Sequence, residues 1–351
     1  MQKIQLGIIG YGGMGKTYEK LIDKSAVDIV AAADILPERL QEAREAGLIA
    51  YNSAEDLLAD PDVDTVILSV PNYLHKEMCV KAAKAGKHVI AEKPAALDVA
   101  ELDEMEAACK EAGVVFTVHH NRRWDRDMLI AKHVLDNEIV GKNVFTVESK
   151  LHSGNGFMHG WHLYKKNGGG VMYDWSVHLI DQILFMMPGA KIKHLFADIK
   201  NVLHDEVDDY FKILMKMDNG ITVHIEVGTY ILDNVPRWLV AGDKGTLIVH
   251  KFGCEGAVYR TAKMLEKLPT KIELSVAGPT RQFAPMPPGS IFEEPLPQIE
   301  IKDGEFFANL RDVIYGNNTQ LKVQVHEVRR VLAVMEAARK SAETGEAIAF
   351  E

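Results

Sequence analysis

The chain has 351 residues, 47% hydrophobic and 26% charged, near the globular average and enough for about two domains with cores of their own. Its 40 Lys and Arg against 50 Asp and Glu leave a formal charge of −10, a sign that repels phosphate backbones and anionic lipid, so no nucleic-acid or membrane partner is expected. No run reaches the roughly 18 apolar residues of a membrane span, and Cys79, Cys109 and Cys254 form no CxxC, which favours a reducing, cytoplasmic setting over a disulfide scaffold or structural zinc.

The first apolar run, Ile4 to Ile9, ends at once in glycines, so it reads as a strand of the mature fold rather than a secretion signal. Further strands are expected at Asp28 to Ala33, Thr65 to Val70, His88 to Glu92 and Val114 to Val118, with helices between them. Pro37, Ser53 with Asp56, Gly86, Asp98 and Gly113 punctuate those helices. Such alternation predicts an α/β fold, a Rossmann-like doubly wound parallel sheet over residues 1–122.

A helix from Arg126 to Glu138 leads into residues 123–351. Strands there at Asn143 to His152, Lys191 to Ile199, Tyr210 to Met217, Ile221 to Thr229, Arg237 to Ala241 and Thr246 to His250 predict an α+β domain with an antiparallel sheet. Asp218-Asn219-Gly220 marks a hairpin. One helix, Gly169 to Met187, precedes most of these strands, and a last one, Val325 to Glu343, can pack back on either half. The proline-rich stretch Pro269 to Pro297 is expected to form a long loop over the surface or the site.

Gly10-Tyr11-Gly12-Gly13-Met14-Gly15 lies between the first strand and the helical run Lys16 to Ile22. In a GxGxxG so placed, Gly10 permits the turn, Gly12 lets a pyrophosphate approach the backbone and Gly15 lets helix pack on strand. The helix N-terminus then faces the phosphates. Asp34 closes the second strand, where its carboxylate can accept from the adenosine ribose and repel a 2′-phosphate. NAD is therefore expected ahead of NADP; capping the helix at Pro37 is Asp34's other possible role.

A cofactor on the first strand puts chemistry at the carboxyl ends of the strands. The segments there are Pro71-Asn72-Tyr73-Leu74-His75, Glu92-Lys93-Pro94 and His119-His120-Asn121-Arg122-Arg123. A fourth, in the second half, runs from Gly168-Gly169-Gly170 through Asp174 and His178 to Asp181. Asp174 and His178, four apart, share a helical face on which the carboxylate would favour a charged imidazole.

Together with the later stretch Arg237 to Thr246, these motifs resemble those of the Gfo/Idh/MocA family of nicotinamide-dependent sugar and polyol oxidoreductases, over most of the chain. The resemblance implies a Rossmann domain followed by a domain with a large open antiparallel sheet, commonly an oligomer interface, hence a homodimer or homotetramer. It implies Lys93, Asp174 and His178 as the catalytic set, often with a cis Lys93-Pro94 bond, and a cofactor lined by Pro71, Asn72, His75, Glu92, Lys93 and Arg122. The substrate it implies is a small-molecule sugar, glycoside or cyclic polyol, beside Lys93, Arg123, Trp161, His162, Asp174 and His178. For alcohol oxidation His178 suits the general base and Lys93 the group that stabilises the alkoxide. Asp174 either orients His178 or holds a neighbouring hydroxyl.

Each assignment has a plainer rival. Lys93 can be a solvated strand-end lysine, and His178 can be satisfied by Asp174 or Asp181 alone. His75 can simply open a helix, and of Arg122 and Arg123 one is expected at the cofactor or substrate and the other at the surface. His152, His159 and His162 have no carboxylate or cysteine at useful spacing, so no metal is expected. Asp205, Glu206, Asp208 and Asp209 read as a solvated connection, and Trp175 as packing. Two other functions stay open: NAD held tightly and recycled in an epimerisation or elimination, and a non-catalytic sugar sensor.

Overall fold

The computed structural model describes residues 2–152, 158–232, 235–261, 272–281, 289–301, 304–316 and 320–350. Strands and helices first alternate as β1 (Ile4–Ile9), α1 (Gly13–Leu21), β2 (Val27–Ala33), α2 (Pro37–Glu45), β3 (Ile49–Tyr51), α3 (Ala54–Leu58), β4 (Thr65–Leu68), α4 (His75–Lys84), β5 (His88–Ala91), α5 (Val99–Ala112) and β6 (Phe116–Val118). The strands form one parallel sheet in the order β3-β2-β1-β4-β5-β6. Its inner members β1, β4 and β5 are almost wholly buried and rich in Ile, Val and Ala, as parallel strands covered on both faces must be. The order reverses between β1 and β4, which opens a crevice at their carboxyl ends. Helix punctuation is local: Ser53 accepts from Asp56 N, Asp98 accepts from Glu101 N, and Gly113 ends α5 at φ 69°.

The chain continues through α6 (Arg126–Asp136), β7 (Thr146–His152), α7 (Val177–Met186), β8 (Ile192–Lys200), β9 (Tyr210–Met217), β10 (Thr222–Gly228), β11 (Trp238–Gly242), β12 (Gly245–Val249) and β13 (Gly256–Thr261). After these come β14 (Ile272–Ser275), β15 (Gly278–Arg281), β16 (Ile291–Pro295), α8 (Glu305–Ile314), α9 (Val325–Thr344) and β17 (Ile348–Ala349). A nine-stranded sheet runs β16-β13-β12-β11-β7-β10-β9-β8-β17. The sheet is mixed: β7 and β10 are parallel, while the other pairs are antiparallel as expected. The Asp218-Asn219-Gly220 turn does join β9 to β10, with Gly220 at φ 90°.

One expectation changes, and some elements were not expected at all. The stretch from Pro269 to Pro297 contains a hairpin, β14 with β15, and the edge strand β16, so it is not one long loop; residues 269–271 and 282–288 lie outside the described ones. β3, only three residues long, and α8 were not legible from periodicity.

The last helices join the two sheets. α9 packs on β8 and α7 to one side and on α5 and β6 to the other. Polar ties fix it there: Glu336 accepts Val99 N at 2.8 Å, Arg329 Nε donates to Asp103 at 2.8 Å, and Thr117 Oγ1 donates to Val323 O at 2.9 Å. Residues on facing edges of the crevice are thereby held at fixed separation. No helix among the described residues is long and apolar enough to cross a membrane.

Candidate functional site

The glycine loop has the shape a dinucleotide requires. Gly10 sits at φ 94°, and a Cβ there would lie 2.6 Å from Ser69 O; one on Gly15 would lie 2.3 Å from Gly10 O. A Cβ on Gly12 or Gly13 would meet nothing within 4 Å, and no side chain caps α1, so its first N–H groups are free to take an anion. Asp34 has two jobs: Oδ2 accepts from Tyr11 N at 2.8 Å and Oδ1 from Leu36 N at 2.9 Å. Each oxygen keeps a lone pair for a ribose hydroxyl. The donor set fits NAD. Sequence reasoning missed Arg39, near Asp34 but bonded through Nη1 to Glu42 at 2.8 Å, which Lys16 also meets at 3.0 Å.

Lys93 follows β5, and its bond to Pro94 is cis. Its Nζ crosses to Asp174, 2.6 Å from Oδ1 and 3.0 Å from the main-chain oxygen. Asp174 lies in a π-helical turn, Met172–Ser176, that precedes α7. The helix expected from Gly169 thus starts at Met172 with a widened turn, and Asp174 is paired with Lys93 rather than with His178. Asp181 is also taken, by Arg123 Nε at 2.8 Å and Nη2 at 2.6 Å. Neither acid satisfies His178, so its plainer rival falls.

His178 is 4% exposed, and its Nδ1, itself buried, has no hydrogen-bond partner among the described residues. Burial, then the Lys93 and Arg122 cations, hold its pKa well below the ordinary 6.5. That reverses the expected bias toward a charged ring: His178 is a neutral proton acceptor at pH 7. For Asp174 burial works upward, but the Lys93 ammonium foremost, with His162 and Arg122, keeps the carboxyl below its ordinary range and ionised.

Around this centre the Trp161 and His162 rings stack at 3.7 Å. Their turn is stapled to the three glycines: Gly169 N donates to Tyr164 O at 3.2 Å and Gly170 N to His162 O at 3.1 Å. A Cβ on Gly169 would sit 2.1 Å from His162 O, which explains a glycine there. Arg122 lies 4.7 Å over the Trp175 ring and 5.0 Å over Phe252, with Nη1 on Asp125 at 2.8 Å. Trp175 therefore does more than pack the helix. Arg122 also borders a cavity of about 1020 Å³ shared with Trp124, Phe252 and Cys254, which lies beside rather than over the Lys93–Asp174 pair.

Several residues expected at cofactor or substrate are turned inward. Arg123, 3% exposed, gives its remaining donor, Nη1, to Glu327 and to Lys322 O, both at 2.9 Å, so it is neither a surface residue nor a substrate contact. His75 is fully buried, with Nδ1 2.9 Å from Pro94 O and Nε2 3.0 Å from Val70 O; it braces the corner carrying Lys93. Glu92 accepts from Tyr18 Oη, from His119 Nδ1 at 3.1 Å and from Lys93 N at 3.1 Å, linking α1 to the end of β5 that carries Lys93. Asn72, also buried, donates to Gly168 O at 2.9 Å, and Pro71 precedes its short turn. In a closely packed edge a buried polar group must find a partner, and these find theirs in the protein.

The acidic connection is likewise not solvated throughout. Asp208 Oδ2 accepts Met172 N at 2.6 Å, Glu206 accepts Lys165 N at 3.3 Å, and Asp209 accepts Val202 N and Leu203 N at 2.7 Å. Among the described residues no three His, Cys, Asp or Glu side chains are grouped to hold a metal ion.

Residues 4–120 match a family described as "Oxidoreductase family, NAD-binding Rossmann fold", and residues 128–248 match "GFO/IDH/MocA C-terminal domain". The chain is 30% identical over 260 residues to a scyllo-inositol 2-dehydrogenase (NADP(+)) of Bacillus subtilis (strain 168), covering 72% of this chain and 70% of that protein. It is 27% identical over 267 residues to a myo-inositol 2-dehydrogenase of Thermotoga maritima, covering 73% and 75%. Among solved structures, an NAD-binding protein from Listeria innocua matches over 100% of both chains at 36% identity and a TM-score of 0.91.

Proposed function

Because the chain belongs to the GFO/IDH/MocA oxidoreductases, with their NAD-binding Rossmann domain, we propose that it transfers hydride between nicotinamide and a secondary alcohol or ketone of a cyclic polyol, sugar or glycoside. One observation carries the reading: a Lys93 held by Asp174 beside a buried, neutral His178 whose ring is bonded to neither Asp174 nor Asp181. Bound nicotinamide supplies the hydride acceptor in oxidation and the donor in reduction. His178 takes the hydroxyl proton. The Lys93 ammonium spends two contacts on Asp174, and its third N–H stabilises the oxyanion that develops. Asp174 aims the lysine, a role different from both of those weighed for it above. Trp161 and His162 offer a stacked face to a sugar ring.

Asp34 supports NAD over NADP, and the pairing of Arg39 with Glu42 supports the same order. Following NADH or NADPH absorbance across inositols, aldoses and glycosides, and their keto forms in the reverse direction, checks both points. We expect at least one cyclic polyol or sugar to be oxidised, faster with NAD. Silence from every alcohol and ketone would sink the dehydrogenase reading, and a clear NADP preference the role of Asp34.

Two further points of the reading are where the protein works and in how many copies. Its three cysteines are free, which supports a cytoplasmic setting. A homodimer or homotetramer would form through the face of the nine-stranded sheet that carries, on adjacent strands, Phe196, Leu214, His224 and Glu148. Phe196 is 42% and Leu214 39% exposed, with Lys212 and Lys216 on the same strand as Leu214. Apolar residues among charges of both signs suit a patch that meets its own copy. Sedimentation velocity is expected to return two or four chain masses; a monomer at every concentration would refute the assembly.

A further inference from the structure

The connection between β8 and β9 reaches the start of the turn that carries Asp174. The backbone there has no help from its own neighbours: the π-helical turn Met172–Ser176 has Val171 before it, and no side chain at that position caps it. Its first N–H, at Met172, is instead taken by Asp208 Oδ2 at 2.6 Å, while Val171 N donates to Asp208 O at 3.0 Å. Main chain and side chain of one residue thus grip two successive residues, two positions before Asp174. Gly170, at φ 95°, lets this approach happen, since a Cβ there would lie 2.4 Å from Asp208 Oδ1.

Asp208 is in turn fixed from behind. Its neighbour Asp209, 1% exposed, accepts Val202 N and Leu203 N at 2.7 Å and donates its own N–H to Lys200 O at 3.1 Å, closing the connection on itself. On the other flank Arg339 of α9 lies 3.7 Å over the Tyr173 ring and donates to Tyr173 Oη at 2.6 Å; Tyr173 Oη in turn donates to Leu97 O at 3.0 Å. The turn that presents Asp174 is therefore clamped on both sides, by an acid at its start and a stacked arginine at Tyr173. A carboxylate at a helix start is also favoured by the free N–H groups there.

We propose that Asp208 is a positioning residue: by holding Met172 it sets the widened turn that aims Asp174 at Lys93. The proposal rests on the reading of Lys93, Asp174 and His178 as the working site, and it adds a residue that touches none of the reacting atoms. Displacing a catalytic group by about 1 Å costs about a hundredfold in rate, whereas a merely structural acid would act on stability alone.

The test uses Asp208→Ala and Asp208→Asn in the full chain, with Lys93→Met alongside. Amide hydrogen exchange, which needs no substrate, is read over residues 171–176 and over the glycine loop. Turnover is read with NAD and myo-inositol, or the best alcohol of the panel above. For Asp208→Ala we expect exchange over 171–176 to rise about tenfold or more, kcat to fall about ten- to a hundredfold, and NAD affinity and glycine-loop exchange to stay put. Asp208→Asn keeps an acceptor oxygen for Met172 N and should recover most of both losses. Should Asp208→Ala not fold, Asp208→Ser, whose hydroxyl is one bond too short, reads the same loss. Wild-type exchange and kcat in Asp208→Ala or Asp208→Ser, beside a dead Lys93→Met, would overturn the proposal. A fully active Lys93→Met would instead overturn the site reading, while the exchange data still judge Asp208's hold on the turn.

Discussion

Replacing Lys93 by Met is expected to lower kcat about a thousandfold while NAD affinity is kept, because the substitution removes an ammonium and little volume. The lysine's contacts are both to Asp174 and none is to the glycine loop, so cofactor binding has no reason to fail. The plainer rival makes the opposite forecast. A partly exposed Lys–Asp pair contributes at most about 1 kcal/mol of stability, and its loss would leave the rate near wild type. The pH profile adds a signed test. Alcohol oxidation needs His178 unprotonated, so kcat/KM holds above its pKa and declines below it. Since burial, Lys93 and Arg122 depress that pKa, the wild-type acid limb falls below 6.5. Removing the Lys93 charge takes away one of those causes, so the residual activity of Lys93→Met should show its acid limb at higher pH. His178→Ala is expected to lose about a hundredfold or more in kcat and to show no such limb. Wild-type rates in both variants would exclude this chemistry.

The parts of the site that could be read from sequence are those whose requirement is local. Gly10 and Gly15 are dictated by backbone contacts within one strand–turn–helix, and Lys93 and Asp174 stand at the ends of elements whose periodicity is clear. Orientation at those ends is another matter. Arg122 and Arg123 are adjacent and chemically identical, yet the short turn carrying them sends one toward Trp175 and His178 and the other into the protein. Local sequence does not record which. His75 and Glu92 went the same way, because Pro94, Tyr18 and His119 are brought to them by the ends of β5 and β6 and by α1, with Val70 the one local partner. The π-helical turn is invisible for a similar reason: one widened turn leaves the apolar spacing of the following α7 intact. Asp208 is a further case. In sequence it is one of four clustered acids, the usual mark of a solvated loop, and only a contact 36 residues away distinguishes it. The identity of a residue at an element's end is thus legible locally, while its orientation is fixed by partners the local pattern does not name.

Arg123 gives the second large effect, and in stability rather than rate. Its guanidinium is buried with every nitrogen bonded, doubly on Asp181 and singly on Glu327 and Lys322 O, joining α7 and α9 to the turn after β6. Arg123→Met would leave Asp181, 2% exposed, as a buried carboxylate without its cation, a loss of about 3–5 kcal/mol. The nearest group able to compensate is His120, whose Nδ1 is 3.7 Å from Asp181 Oδ2 and whose pKa burial pushes down to about 4. With Arg123 gone, one cause of that depression is removed, so the stability gap between variant and wild type should narrow as pH is lowered toward 5, though both lose stability there. The double variant Arg123→Met with Asp181→Leu removes both charges, so it should melt above the single variant. Arg122→Met makes the contrast. That guanidinium rests on Trp175 and Phe252 and, among the described residues, pairs with Asp125 alone, so its replacement should cost little in melting temperature and should act on kcat or KM. If thermal melts and kinetics assign the two effects the other way round, it is Arg123, not Arg122, that faces the substrate, and the inward packing of the Arg123–Asp181 pair is wrong.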